Sequence, residues 1–129
     1  MIYNLAQYIR NNFSQKVYVN GWKLKSKDAA LTIIDNGGET QNRNIRRDHL
    51  IQIKLRNEEN VTAKQNLDII DSGIKNRYGF TLPEVNVKGI VYPEIILWRC
   101  NAIQDPSFLT VDENGMYVYG VNYIMTTQT

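Results

Sequence analysis

The chain has 129 residues, a formal net charge of +2, and 43% hydrophobic and 22% charged residues. These values are typical of an ordinary globular protein, and we expect one domain over residues 1–129. The sequence shows no apolar run that could span a bilayer, and a charge of +2 does not by itself indicate a nucleic-acid binder. We expect no secretory signal.

The charge is unevenly distributed along the chain. Residues 1–56 hold ten Lys and Arg against four Asp and Glu, whereas residues 57–129 hold five against nine. This asymmetry is compatible with nucleic-acid contact, with a protomer whose two ends attract each other, or with elements that interleave so that the charges average out in space.

The N-terminal segment predicts a helix followed by a short strand. Ile2, Leu5, Ile9 and Phe13 repeat at helical spacing and form one apolar stripe. Residues 17–19 then predict a strand that stops at the turn dipeptide Asn20-Gly21.

A basic segment over residues 22–29 places Lys23, Lys25 and Lys27 at every second position. This spacing favours an exposed strand edge with solvated lysines over a phosphate-binding site.

Two strands are predicted next, at residues 30–35 and 48–56, and the alternation of the second indicates a half-buried antiparallel strand. Asn36-Gly37-Gly38 is expected to break the first strand. The polar loop of residues 36–47 contains Arg43, Arg46 and Arg47. Because it is long and contains two consecutive glycines, we expect it to be mobile in the isolated subunit and ordered in an assembly.

A second helix is predicted over residues 62–78. Thr62 and Gln65 have the spacing of a capping box, and Gly79 has the position of a C-terminal stop. The stripe that should face a sheet of four or five strands is Ala63, Leu67, Ile70, Ile74 and Tyr78.

The last part of the chain predicts strands and turns. Residues 84–92 indicate a hairpin that turns at Lys88-Gly89, residues 95–102 a strand, and residues 104–115 a second long loop. The final strand, residues 116–125, is largely apolar on both faces. We therefore expect a helix on one of its faces and a neighbouring layer or subunit on the other.

Catalytic and metal-binding residue types are scarce. His49 is the single histidine and follows Arg46 and Arg47, where Asp48 is the nearest carboxylate. Cys100 lies in an apolar strand and is expected to be a small buried hydrophobe, in keeping with a reducing compartment. One His and one Cys do not make a structural zinc site. We expect no cofactor, no metal and no enzymatic activity.

Several short stretches, in their order and spacing, carry a resemblance to a known family. They are residues 2–9, 18–21, 33–39, 75–83, 91–93, 103–106 and 112–115. Together they resemble the small minor capsid proteins of phages of Gram-positive bacteria, which are similar to the tail terminator (head–tail joining) proteins of siphophages.

The resemblance implies a structural virion protein, assembled in the host cytoplasm, that forms a ring at the junction of tail and head. Its implied partners are further copies of itself in a hexamer, the tail tube protein and the head connector or neck protein. Phage DNA would pass through the ring without specific binding, and no membrane is involved.

The expected fold is α+β, a mostly antiparallel sheet with two helices packed on one face, in a single domain. The candidate interface residues are Arg43, Arg46, Arg47, Lys23 and Lys25. The alternative function is a DNA-associated binding module that uses the basic region of residues 23–47.

Overall fold

The computed structural model describes residues 1–23, 26–38 and 46–128. Within them, helix α1 spans Ile2–Phe13 and helix α2 spans Asn60–Ile74. The strands are β1 (Val17–Val19), β2 (Ala30–Gly38), β3 (Arg46–Asn57), β4 (Arg77–Leu82), β5 (Val85–Val87), β6 (Ile90–Tyr92), β7 (Ile95–Ala102), β8 (Ser107–Val111) and β9 (Tyr117–Gln128).

Seven of these strands form one sheet in the order β1-β2-β3-β9-β7-β4, and β8 also pairs with β9. The pairing of β1 with β2 is parallel, and the other pairings are antiparallel. The α+β fold with a mostly antiparallel sheet is therefore confirmed, although the sheet is larger than the four or five strands that we expected.

The final strand lies at the centre of the sheet. One edge of β9 pairs with β3 from Arg46↔Gln128 to Asn57↔Tyr117. Its other edge pairs first with β8 and then with β7, which follow one another along it. The prediction of a long loop over residues 104–115 was wrong, because β8 lies within it and is held by backbone pairing to β9.

Both helices pack on one face of the sheet and share one hydrophobic core with it. From α1 the core takes Leu5, Ala6 and Ile9. The two helices touch where the ring of Phe13 lies against Gly73, since a Cβ on Gly73 would be 2.6 Å from that ring. The expected apolar stripe of α1 and the helix-covered face of β9 are confirmed.

The boundaries of α2 differ from the prediction. The helix begins after Glu59, whose side chain makes no cap hydrogen bond, and the Thr62 hydroxyl donates to the Glu59 carboxylate, so the capping box was wrong. It ends at Ile74, because the Asn76 N–H donates to the carbonyl of Cys100 and the chain enters β4. Tyr78 is thus an exposed strand residue, and Gly79 does not end the helix.

The bounds predicted for the polar loop, residues 36–47, were wrong at both ends. β2 continues through Asn36 to Gly38 with a bulge in its pairing, and Arg46 and Arg47 already belong to β3. Residues 39–45 lie outside the described part of the chain, so the expected mobility of this loop stays a prediction. Residues 26–29 do not form the strand edge expected for the lysine-rich segment.

The hairpin β5–β6 turns at Lys88 and Gly89, which both have positive φ, as predicted. None of the helices in the described residues has the length and apolar character needed to cross a membrane.

Candidate interaction surface

The sheet face opposite the helices, called the open face below, is not covered by either helix. Alternation along β3 and β9 places Leu50 and Ile124 on it, directly opposite each other in the register, with Asn101 of β7 next in the same row. Leu50 is 39% exposed and Ile124 37%. A pair of aliphatic side chains therefore meets solvent in the middle of a sheet.

Polar side chains surround this pair. Gln52 and Asn122 form the next row and are half-buried. Further exposed apolar side chains on the same face extend it toward β4 and β8: they are Ile96, Tyr78 and Leu109. Exposed apolar side chains that share one face and are rimmed by polar ones are typical of a protein–protein interaction site.

One end of the open face carries a hydrogen-bonded row across three strands. Arg99 Nε donates to the Thr126 hydroxyl at 3.2 Å, and that hydroxyl donates to the Asp48 carboxylate. In the row beyond it, the Arg46 guanidinium lies 3.9 Å from the centre of the Trp98 ring. These contacts hold the side chains of β3, β9 and β7 in place before any partner binds.

The other end of the open face is closed by the segment after β1. Arg56 is fully buried there, although its position in β3 predicts a solvent-facing side chain. Its guanidinium donates to the carbonyls of Lys23 (2.8 Å) and Asp28 (3.0 Å) and to the Asp28 carboxylate, and it lies 4.7 Å from the Trp22 ring centre.

Asp28 holds this end together. Besides Arg56, its carboxylate contacts Lys16 at 2.8 Å and accepts hydrogen bonds from Tyr18 and Ser26. These partners, Lys16 first, hold the pKa of Asp28 far below its ordinary value. The sequence reasoning missed both Asp28 and Arg56, because the contacts come from segments about 30 residues apart.

The structure does not bring the candidate interface residues into one patch. Arg46 and Arg47 are exposed at the first residues of β3, whereas exposed Lys23 lies beside Arg56 near its end. Ten residues of strand separate the two ends, about 33 Å at strand rise. Arg43 and Lys25 lie outside the described residues.

The surroundings of His49 differ from the expected ones. Its Nδ1 lies 3.8 Å from the carboxylate of Asp35, not of Asp48, and its Nε2 is 2.9 Å from the Thr127 hydroxyl. Burial lowers the pKa of His49, and it also lowers the pKa of the Met1 amine nearby. Carboxylate, imidazole and hydroxyl stand in the order of a nucleophilic triad, but Thr127 is 2% exposed and presents no surface to a substrate.

Cys100 is fully buried, which confirms the expectation that it packs as a small hydrophobe. Burial raises the pKa of its thiol to about 12, so the thiol stays protonated and unreactive at neutral pH. In the described residues, no group of three His, Cys, Asp or Glu side chains is placed to hold a metal ion.

A scan against protein-family models and a search of curated proteins found no match to this chain.

Proposed function

We propose that this chain is a structural virion protein that forms a ring at the tail–head junction of a phage. In this role it terminates the tail tube and joins it to the head connector, while the DNA passes through without specific binding. The resemblance along the sequence suggests this role, and the open face is the observation that supports it best.

The support from the open face is physical. The sheet packs two helices on one side and leaves apolar area of Leu50 and Ile124 exposed on the other. Burial of such area contributes roughly 25 cal/mol per Å² to association, before the costs of ordering. A virion subunit contacts several neighbours at once and would bury such a surface against one of them.

The direct test is electron microscopy of tails produced without this protein. Overlong tails indicate a terminator, and tails of normal length that fail to attach to heads indicate a joining protein. Tails of normal length that attach to heads would contradict both roles.

A matched pair of variants tests the open face itself. Leu50→Asp should reduce incorporation into virions with little loss of stability, because the side chain is already partly exposed. Ile69→Asp, at an exposed apolar position of α2, is the control and should assemble normally. If both variants lost incorporation equally, the cause would be a folding defect. If both were incorporated as well as the unchanged protein, the open face would not be part of the interface.

The alternative, a DNA-associated module, is tested by filter binding of duplex DNA. Such a module should bind at low salt and weaken steeply as salt rises, because neutralised phosphates release counterions. Binding should then fall in the double variant Arg46→Ala, Arg47→Ala, which alters two exposed cations of β3. No binding at low salt would exclude this alternative.

A further inference from the structure

Strand β8 is bound to the rest of the described chain along one edge. It pairs with β9 alone, and all five of its residues are exposed, with Phe108 at 52%, Leu109 at 43% and Val111 at 47%. Leu109 folds back over Gly120, where a Cβ would lie 2.6 Å from it.

The outer edge of β8 has backbone groups that do not pair with β9. The Asp112 N–H donates to the Met116 carbonyl on the β9 side, so Val111, one residue earlier, directs its N–H and C=O away from β9. The Val111 carbonyl accepts a hydrogen bond of 3.2 Å from the Thr110 hydroxyl, but no other strand of the described chain pairs with this edge. Edge strands are usually protected by charged side chains, proline or a covering loop. The residues Ser107–Val111 contain neither charge nor proline, so this edge is suited to pairing with another strand.

At the opposite side of the sheet, a groove of about 660 Å³ runs between β1 and β5. The residues of α1 that line it include Tyr3 and Arg10, and Lys88 lines it beside β5. β1 pairs with β2, and β5 with β6, so in the described chain each of these two strands pairs along one edge. Arg10 donates a hydrogen bond of 2.7 Å to the Val17 carbonyl of β1. The groove is therefore lined by two strands that each have an edge without a strand partner.

Charge distinguishes the groove from β8. Among the residues that the structure describes, the charged ones lining the groove are Arg10 and Lys88, and none of its lining residues is a carboxylate. β8 is flanked by Asp105, Asp112 and Glu113. Pairing of β8 with β8 of another copy would bring these acidic groups together, whereas pairing with the groove brings them to cations.

We propose that β8 of one copy of this chain docks into the groove between β1 and β5 of a second copy. Within one molecule, β1 and β8 are separated by three strands, about 19 Å, so a strand cannot fill its own groove. The contact joins two different patches and is heterologous, which generates a closed ring when the rotation between copies closes. That the copies close into a ring rests on the proposed function, whereas the contact between β8 and the groove is tested on the purified protein.

Cross-linking tests whether β8 of one copy lies close to β5 of another. Thr110→Cys and Asn86→Cys place one thiol on β8 and one on β5, both at exposed positions, while Cys100 is buried and inert. A mixture of the two variants treated with a short bismaleimide should give a covalent dimer of one copy of each. The control mixture uses Ser72→Cys, exposed on α2, in place of Thr110→Cys and should give none.

Exchanging the charges of Lys88 and Glu113 tests whether β8 and the groove attract each other through these residues. Lys88→Glu and Glu113→Lys, measured separately by sedimentation velocity over a concentration series, should each weaken self-association by about fivefold. The two changes in the same chain should restore it, because each charge again meets its opposite. Both residues are exposed, so the folded monomer should be unaffected.

Three results would overturn the inference: a monomer at every concentration, a cross-link no more frequent than in the Ser72→Cys control, or self-association unchanged by the charge variants. If tails need this protein but the cross-link does not form, the interface is wrong and the ring function stands. If the cross-link forms but tails lacking the protein are normal and attach to heads, the interface stands and the function is wrong.

Discussion

The hydroxyl of Tyr123 donates a hydrogen bond of 2.6 Å to the carboxylate of Asp71, joining the central strand β9 to helix α2. Both residues are buried within the helix–sheet interface. Burial raises the pKa of Tyr123 far above its ordinary value, so the phenol remains the donor throughout the physiological range. The carboxylate also lies 3.5 Å from Lys75 Nζ at the end of the helix.

Tyr123→Phe should therefore destabilise the protein by about 1–3 kcal/mol, because the substitution leaves a buried carboxylate without its main donor. Tyr117→Phe is the control, since Tyr117 lies on the same face of β9 and its hydroxyl makes no hydrogen bond to the described residues. Urea unfolding of both variants measures the difference. Equal losses would show that the Tyr123–Asp71 bond adds nothing beyond ring packing.

On α2, Leu67 is fully buried, whereas Asp68 lies beside the exposed Lys64 at 2.7 Å. Leu67→Ala should lower the free energy of unfolding by about 2–5 kcal/mol, the range for a truncated buried Leu. Asp68→Ala should change it by less than about 0.5 kcal/mol. A larger loss for Asp68→Ala would indicate a subunit contact if it depended on protein concentration, and an error in the helix face if it did not.

Arg56→Ala should be destabilising, by about 1–3 kcal/mol or more, because it leaves the carbonyls of Lys23 and Asp28 without their buried donor, although Lys16 still pairs with the Asp28 carboxylate. Lys54→Ala, on the same face of β3 but only half-buried, should change stability little. Chemical denaturation compares the two. Similar losses would mean that the segment around Asp28 is held by other contacts.

The depressed pKa of Asp28 predicts an acid effect. Its contribution to stability is fully present above the ordinary value of 3.8 and is lost as the pH falls from there toward the lower folded value. Asp28→Asn should therefore be less stable than the natural chain at pH 6, with a smaller further loss below pH 4. Thermal melts across this range test the difference in slope.

His49 predicts an effect nearer to neutrality. Since its folded pKa is lowered from 6.5, the unfolded chain binds more protons below that pH, and stability present above pH 6.5 is lost as the pH falls. The charged groups that act on its pKa are Asp35, Arg47, the Met1 amine and Asp48. His49→Gln retains an amide that can bond to Thr127 and should flatten the stability profile between pH 7.5 and 5.5. If the dependence of stability on pH were the same in His49→Gln as in the unchanged protein, groups other than His49 would cause the acid effect.

Much of the local structure could be predicted because its signals are local. Helical spacing located α1 and the buried stripe of α2, and alternation located β3. Segments that are apolar on both faces located β7 and β9. The turn at Lys88-Gly89 could likewise be predicted from the two residues that form it. The end of α2 was wrong because pairing of β4 with β7, some twenty residues later, outweighs the apolar position of Tyr78 in the helical pattern.

The candidate surface depended more on tertiary structure. Periodicity placed Arg56 on the solvent face, but the segment after β1 folds over it and supplies Asp28 and Trp22 as partners. Likewise, β8 reads as loop in the sequence and becomes a strand because β9 provides a free edge for it. The separation of Lys23 from Arg46 was not visible either, since it depends on which strand the lysine segment covers.

By itself, the sequence determined the two helices, most of the strands and a terminal strand that is apolar on both faces, because side-chain periodicity reports burial directly. Tertiary structure decided which face of that strand the helices cover, which charged residues are buried, and which strand edges are free. Those outcomes depend on pairing between segments distant along the chain, and the free energy of such pairing is set by register and by the neighbours available in the folded sheet.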